Sequence, residues 1–194
     1  MQLNKWQSSL TKCNRQKEVI NMQSIEFLVN KAKKGDHEAF IQLISQYELT
    51  LYRTAKRMRL QDEDIADLIQ DTILTAYEKM NALNEARHFN TWLCRILLNN
   101  CYSFLKKKNK CSPIDATDLH NITHLDKPSL ELDDALGSLG ENYRLALTLY
   151  YVNGLSTKEI SECLHESEGT IKSRISRAKQ QLKINYYSEG EILI

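Results

Sequence analysis

GLSTKEISECLHESEGTIKSRISRAKQQL, residues 154–182, holds two helical patterns separated by a short break. Ser156 with Glu159 three residues on is a capping-box pair, which opens a helix carrying Ile160 and Leu164 on one side. Leu164-His165-Glu166-Ser167 interrupts the pattern, and Ser167 is placed to cap a second helix. At about 100° per residue, Ile171, Ile175, Ala178 and Leu182 of that second helix share a stripe. Ser173, Ser176, Arg177 and Gln180 fall opposite, with Lys172 and Lys179 flanking and Arg174 near the apolar border. Short helix, tight turn, second helix is the helix-turn-helix arrangement. Hydroxyl, amide and cationic groups on an acid-free polar face suit base edges and phosphates in a major groove. An ordinary amphipathic surface helix is the plainer reading of the same stripe.

Upstream, LDDALGSLGENYRLALTLYYVNGLS reads as two further helices. Their apolar positions, Leu132, Leu136 and Leu139, then Tyr143, Leu147, Tyr150 and Tyr151, are expected to pack. Both prolines of the chain, Pro113 and Pro128, bracket CSPIDATDLHNITHLDKPS, which lacks helical periodicity and reads as a linker. Helical patterning resumes on its N-terminal side, and alternation of strand length is hard to find anywhere. The expected fold is therefore all-α: two small helical domains joined by a flexible linker, the C-terminal one a helix-turn-helix. The expected divisions are an N-terminal extension 1–21, a first domain 22–109, a linker 110–129, a second domain 130–186 and a tail 187–194. Residues 1–21 fit the pattern poorly, which leaves open a translation start at Met22.

Two segments of the first block carry chemistry. In residues 64–80, DIADLIQDTILTAYEKM, the buried side is Ile65, Leu68, Ile69 and Ala76, while Asp67, Gln70 and Asp71 lie opposite with Leu74 in their midst. A leucine centred on an acidic face suggests a protein contact with an apolar anchor and a charged rim, against the plain alternative of one exposed leucine. In NTWLCRILLNNCYSFLKKKNK, residues 90–110, Leu93, Leu97, Cys101, Phe104 and Leu105 line the apolar side. Arg95, Asn99, Ser103 and Lys106 line the other, Trp92 is on the flank, and Lys107 extends the basic end. Aromatic and basic groups together suit unstacked bases and phosphates; a core tryptophan with solubilising lysines is the alternative.

Composition narrows the classes. The 194 residues carry 26 Lys and Arg against 25 Asp and Glu, a formal net charge of +1, so nucleic-acid binding must come from local segregation of charge. No apolar run is long enough to span a bilayer, and the N-terminus has no apolar signal core, so neither membrane insertion nor secretion is expected. Five cysteines, Cys13, Cys94, Cys101, Cys111 and Cys163, form no CxxC pair and are expected to be reduced thiols of a cytoplasmic protein. His120 and His124 are four residues apart with no third ligand evident, so no metal and no cofactor is expected. No Gly-rich phosphate loop, HExxH or paired nucleophile and base is present, so no enzyme and no small-molecule substrate is expected.

These segments also carry a family resemblance. GLSTKEISECLHESEGTIKSRISRAKQQL resembles the promoter-recognition helix-turn-helix of bacterial sigma-70 family factors, especially the extracytoplasmic-function (ECF) subgroup, and EGTIKSRISRAK is its most specific part. DEDIADLIQDTILTAYEKM is similar to the helix that docks on the clamp of RNA polymerase, and FNTWLCRILLNNCYSFLKKK to the helix that recognises and opens the −10 element. The resemblance spans about residues 22–183. It implies an initiation factor without catalysis of its own, whose partners are core RNA polymerase, promoter DNA and an anti-sigma factor. It implies −35 contacts by Lys172, Ser173, Arg174, Ser176 and Arg177. It implies −10 contacts by Trp92, Asn99, Ser103, Lys106 and Lys107, with the loop Asn81 to His88 holding a flipped base. Polymerase contacts would be Asp67, Gln70, Asp71 and Leu74. Two positions depart from the family: His165 stands where Gly is frequent in the turn, and Ser103 where an acidic residue is common. The competing reading is a two-domain helix-turn-helix regulator of the response-regulator class, which would need alternating strands and helices in the first half.

Overall fold

A computed structural model of the chain describes residues 24–111 and 136–190, and every regular element among them is helical. The expectations for residues 1–21, for the linker with His120 and His124, for Leu132 and for the last four residues lie outside the described residues. The first half contains α1 (24–32), α2 (His37–Ser45), α3 (Glu48–Lys56), α4 (Asp62–Glu78) and α5 (Phe89–Cys111), with 3-10 turns Met80–Ala82 and Ala86–His88 between the last two. The second half contains α6 (Glu141–Tyr151), α7 (Thr157–Leu164) and α8 (Glu168–Gly190).

Helices α4 and α5 pack on each other and on α3. Ile65, Leu68 and Ala76 of α4 and Leu93, Leu97, Leu98 and Cys101 of α5 are buried, the stripe the 3.6-residue period predicts. Buried Thr72 ties the two helices: its hydroxyl donates to the Leu68 carbonyl (2.6 Å) and accepts from Asn100 Nδ2 (3.1 Å). Phe89 starts α5 fully buried, edge-on to Tyr47 and beside Trp92, so the helix is anchored at its N-terminus by an aromatic cluster.

In the second half, Ser156 accepts from the Glu159 amide while the Glu159 carboxylate accepts from the Ser156 amide (2.9 Å), the reciprocal capping box that starts α7. Helix α7 ends on His165, a non-glycine residue in the left-handed region at φ 55° and ψ 41°. The Glu166 amide then closes on the Ser161 carbonyl (3.0 Å), and Ser167 Oγ accepts from the Thr170 amide (3.1 Å) to start α8. Ile171, Ile175 and Ala178 are buried against α6 and α7.

The two halves pack against each other, through α5 on α7 and α3 on α6, which the sequence did not reveal. Asn153, just after α6, is the buried centre of this seam. Its Nδ2 donates to Thr54 Oγ1 (3.0 Å) and Cys94 Sγ (3.0 Å), and its backbone carbonyl accepts from Asn90 Nδ2 (2.6 Å). Both polar atoms of the Asn153 side chain are thus bonded across the seam, Oδ1 accepting from Thr54 Oγ1 (3.2 Å), as burial demands.

Candidate nucleic-acid and polymerase interface

The face of α8 expected to meet DNA is open to solvent. Lys172, Ser173, Ser176 and Arg177 are all exposed, opposite the buried Ile171, Ile175 and Ala178. Two cations of this helix are paired within the chain. Lys172 reaches Glu168 at 2.9 Å in an exposed pair that DNA phosphate can displace at little cost. Arg174 is half-buried and reaches Glu166 at 2.8 Å, across the turn that joins α7 to α8. It therefore belongs to the turn as much as to the reading face, in keeping with its place at the apolar border. Glu168 is held below its ordinary carboxyl range by hydrogen bonds from Thr157 and Lys172. Lys179 sits over the rings of Tyr150 and Tyr151 at 5.5 and 5.1 Å, bracing α8 against α6.

On α4, Asp67, Gln70, Asp71 and Leu74 are all exposed, with Leu74 at 56%. The other acids of this run have internal work. Asp62 accepts from Lys56 (2.6 Å), which holds its carboxyl below the ordinary range, and from Tyr52 (3.0 Å); Asp64 pairs with Lys108 (3.0 Å). Asp67 and Asp71 carry no ion pair among the described residues. Exposed Tyr77, one turn beyond Leu74, stacks edge-on against Phe40 and bonds to His37 of α2, whose Ile41 is 60% exposed. Tyr77 and Ile41 widen the apolar part of this face. Sequence reasoning missed them because an exposed aromatic and an exposed isoleucine look, one at a time, like core positions.

On α5, Asn99, Ser103, Lys106 and Lys107 are exposed and Trp92 is half-buried. These positions share one flank of the helix. The neighbouring sector is covered: Thr91 donates to Glu159 (2.5 Å) and Arg95 pairs with Glu162 (3.3 Å), both glutamates belonging to α7. Between the 82–88 loop and α7 lies a cleft of about 520 Å³, lined on one side by Leu83, Glu85, His88 and Trp92 and on the other by Ser156, Lys158 and Glu162. Burial alone would raise the Glu159 carboxyl, but hydrogen bonds from Thr91 and Ser156, with His88 nearby, hold it below its ordinary range. The buried thiols beside the seam are pushed the other way. Burial raises Cys94 to about 12 and also raises Cys163, so both are protonated and unreactive at neutral pH.

Among the described residues, a helix-turn-helix with an exposed basic face stands beside a second helical unit with an exposed acidic face and a basic-aromatic helix, a combination that suits a protein reading DNA together with a partner. Comparison with known proteins agrees in both halves. The sigma-70 region 2 profile matches residues 43–111 and the sigma-70 region 4 profile matches residues 129–182. The ECF RNA polymerase sigma-E factor of Haemophilus influenzae is 32% identical over 174 residues, covering 80% of this chain and 92% of that one. The ECF sigma factor SigW of Bacillus subtilis is 28% identical over 173 residues, covering 80% and 92%. Among solved structures, CnrH in complex with the cytosolic domain of CnrY aligns at a TM-score of 0.61 and 24% identity, covering 85% of this chain and 98% of that one. The sigma factor RpoE in complex with the anti-sigma factor NepR from Bartonella quintana aligns at 0.58 and 25% identity, covering 73% and 94%. The chain belongs to the ECF subgroup of the sigma-70 family of RNA polymerase sigma factors. It is a transcription initiation factor, which binds core polymerase and directs it to promoters. The response-regulator reading is set aside, because the first half shows sigma region 2 and no strand among the described residues.

Proposed function

We propose that the three exposed faces divide the work of initiation as follows. Lys172, Ser173, Ser176 and Arg177 of α8 read the −35 element, and Arg174 contributes while bracing the turn. Trp92, Asn99, Ser103, Lys106 and Lys107 of α5 hold the −10 strand, with the 81–88 loop receiving a flipped base; capture of flipped bases opposes restacking of the duplex. Asp67, Gln70, Asp71 and Leu74 of α4 dock on core polymerase, widened by Tyr77 and Ile41. Residues 22–109 act as one unit and 130–186 as the other, joined through the linker 110–129.

The observation that carries this reading is the sorting of side chains on α8. Its basic and hydroxyl groups face outward together while its apolar stripe is consumed by α6 and α7. The chain performs no catalysis itself and works in the cytoplasm, in line with relatives that are initiation factors. No helix among the described residues is long and apolar enough to cross a membrane. An anti-sigma factor controls it, a reading supported by the solved complex of the related RpoE with NepR. Run-off transcription with core polymerase, with and without this chain, tests the whole: promoter-specific transcripts only in its presence are expected, and their absence from every genomic template overturns it.

A further inference from the structure

Lys33 lies directly after α1, and its ammonium donates to the backbone carbonyl of Leu83 at 2.6 Å. The bond joins residues 50 positions apart. It ties the first helix to the 81–88 loop, the segment assigned above to the flipped base. Lys33 stands ahead of residues 43–111, which carry the sigma-70 region 2 match.

Both ends of the bond are held. On the lysine side, Val29 is fully buried and its carbonyl accepts from the Lys33 amide at 2.9 Å, so the last turn of α1 is seated in the core. Gly35, in the left-handed region at φ 90°, then ends the turn, and Asp36 caps α2 by accepting from the Ala39 amide at 3.0 Å. The Lys33 side chain therefore leaves from a fixed base. On the loop side, Leu83 follows the 3-10 turn Met80–Ala82 in extended backbone, at φ −73° and ψ 111°, with its side chain buried.

A peptide unit is planar and trans, so its C=O and N–H point in opposite directions. Holding the Leu83 carbonyl sets the Asn84 amide facing away from Lys33. That amide donates to no group among the described residues, and Asn84 is exposed and lines the cleft between the loop and α7. A free backbone donor beside a side-chain carboxamide suits the edge of an unstacked base. A lysine near nucleic acid is ordinarily a phosphate contact; the Lys33 ammonium is half-buried and already bonded to a carbonyl.

We propose that Lys33 is a positioning residue for base capture: by holding the Leu83 carbonyl it fixes the Leu83–Asn84 peptide in the orientation that meets the flipped base of the −10 strand. The inference rests on the loop assignment above and adds the residue that shapes the loop. Without the bond the peptide is free to rotate, and capture must order it at the moment of binding.

The test uses the full chain assembled with core polymerase and a promoter that run-off transcription identifies. The −10 strand is offered single-stranded, intact or with one abasic site at each −10 position in turn, and affinity is read by fluorescence anisotropy. Removing the captured base should weaken wild type about tenfold at one position. Lys33→Met should weaken the intact strand about fivefold and shrink the abasic penalty to about twofold. Lys33→Arg, whose guanidinium also donates to a carbonyl, should keep most of the penalty, and Lys34→Met, one exposed position on, should change neither. Salt dependence should be the same for wild type and Lys33→Met. A slope lower by about one phosphate would make the ammonium a direct phosphate contact and overturn the inference. So would an undiminished abasic penalty in Lys33→Met, or loss of −35 duplex binding along with it, which marks a merely structural role. A wild type with no abasic penalty at any position counts instead against the flipped-base reading of the loop.

Discussion

The two helices proposed to read DNA, α5 and α8, are built on the same plan and sit in opposite states. Both have 23 residues, an apolar stripe sunk in a local core and a polar face that carries Lys or Arg. On α8 the polar face is open: Lys172, Ser173, Ser176 and Arg177 all meet solvent, and the acid that touches Lys172 is its own neighbour four residues back. On α5 the polar face is shared, part open at Asn99 and Ser103 and part covered by α7 through Thr91 and Arg95. An amphipathic pattern specifies which side of a helix avoids water. It does not specify whether the other side faces water or a distant part of the same chain.

Four experiments sharpen or break that contrast. The largest effect is expected on the open face: Lys172→Ala with Arg177→Ala should lose about 1–3 kcal/mol per contact at the −35 element, read as loss of −35-dependent run-off product. An unchanged promoter footprint would remove the face from the reading. Next comes the docking surface, where Asp71→Lys or Leu74→Ala should cut co-purification with core polymerase severalfold, about 1–2 kcal/mol for an apolar anchor, with unchanged circular dichroism; normal recovery of both variants would reject the assignment. Third, the turn ahead of α8 holds His165 at φ 55°, so His165→Gly should relieve strain and stabilise the fold by about 1 kcal/mol, read as a higher urea midpoint; a destabilised variant would mean the His165 side chain contributes more than its backbone costs. The smallest effect concerns the covered face of α5. The Glu159 carboxyl sits below its ordinary range when folded, so its contribution is complete above the unfolded range and fades as pH falls through the folded value. Protection from hydrogen exchange at α5 and α7, corrected for the intrinsic rate at each pH, should therefore fall once pH drops below the ordinary carboxyl range, and a flat profile there would exclude Glu159 from holding the two helices together.

Much of this was legible in the residues. Ser156 and Glu159 announced the start of α7, Ser167 the start of α8, and the stripes Ile171–Ile175–Ala178 and Leu93–Leu97–Cys101 are buried as their spacing requires. His165 stands where the family resemblance expects a glycine, and it adopts the left-handed conformation that a glycine would take there. The seam was not legible. Thr54 and Asn153 are 99 residues apart, Thr91 and Glu159 are 68 apart, and Arg95 and Glu162 are 67 apart. Periodicity sees only neighbours on one helix, and each of these polar residues is, taken singly, a plausible solvated position. Glu159 was concealed further by having a sufficient local purpose as half of a capping box, although the same carboxylate also receives Thr91.

The three buried thiols among the described residues have a practical consequence. Cys101 lies in the core of the first half, among residues of α5 that stay covered whatever the second half does, whereas Cys94 bonds to Asn153 and Cys163 to the Thr91 carbonyl on either side of the junction. Sulfhydryl reagents thus meet two clocks in one molecule. The junction pair reports how often the halves come apart, and Cys101 reports how often the first half itself unravels, so the ratio of their modification rates times the parting of the halves without any attached dye.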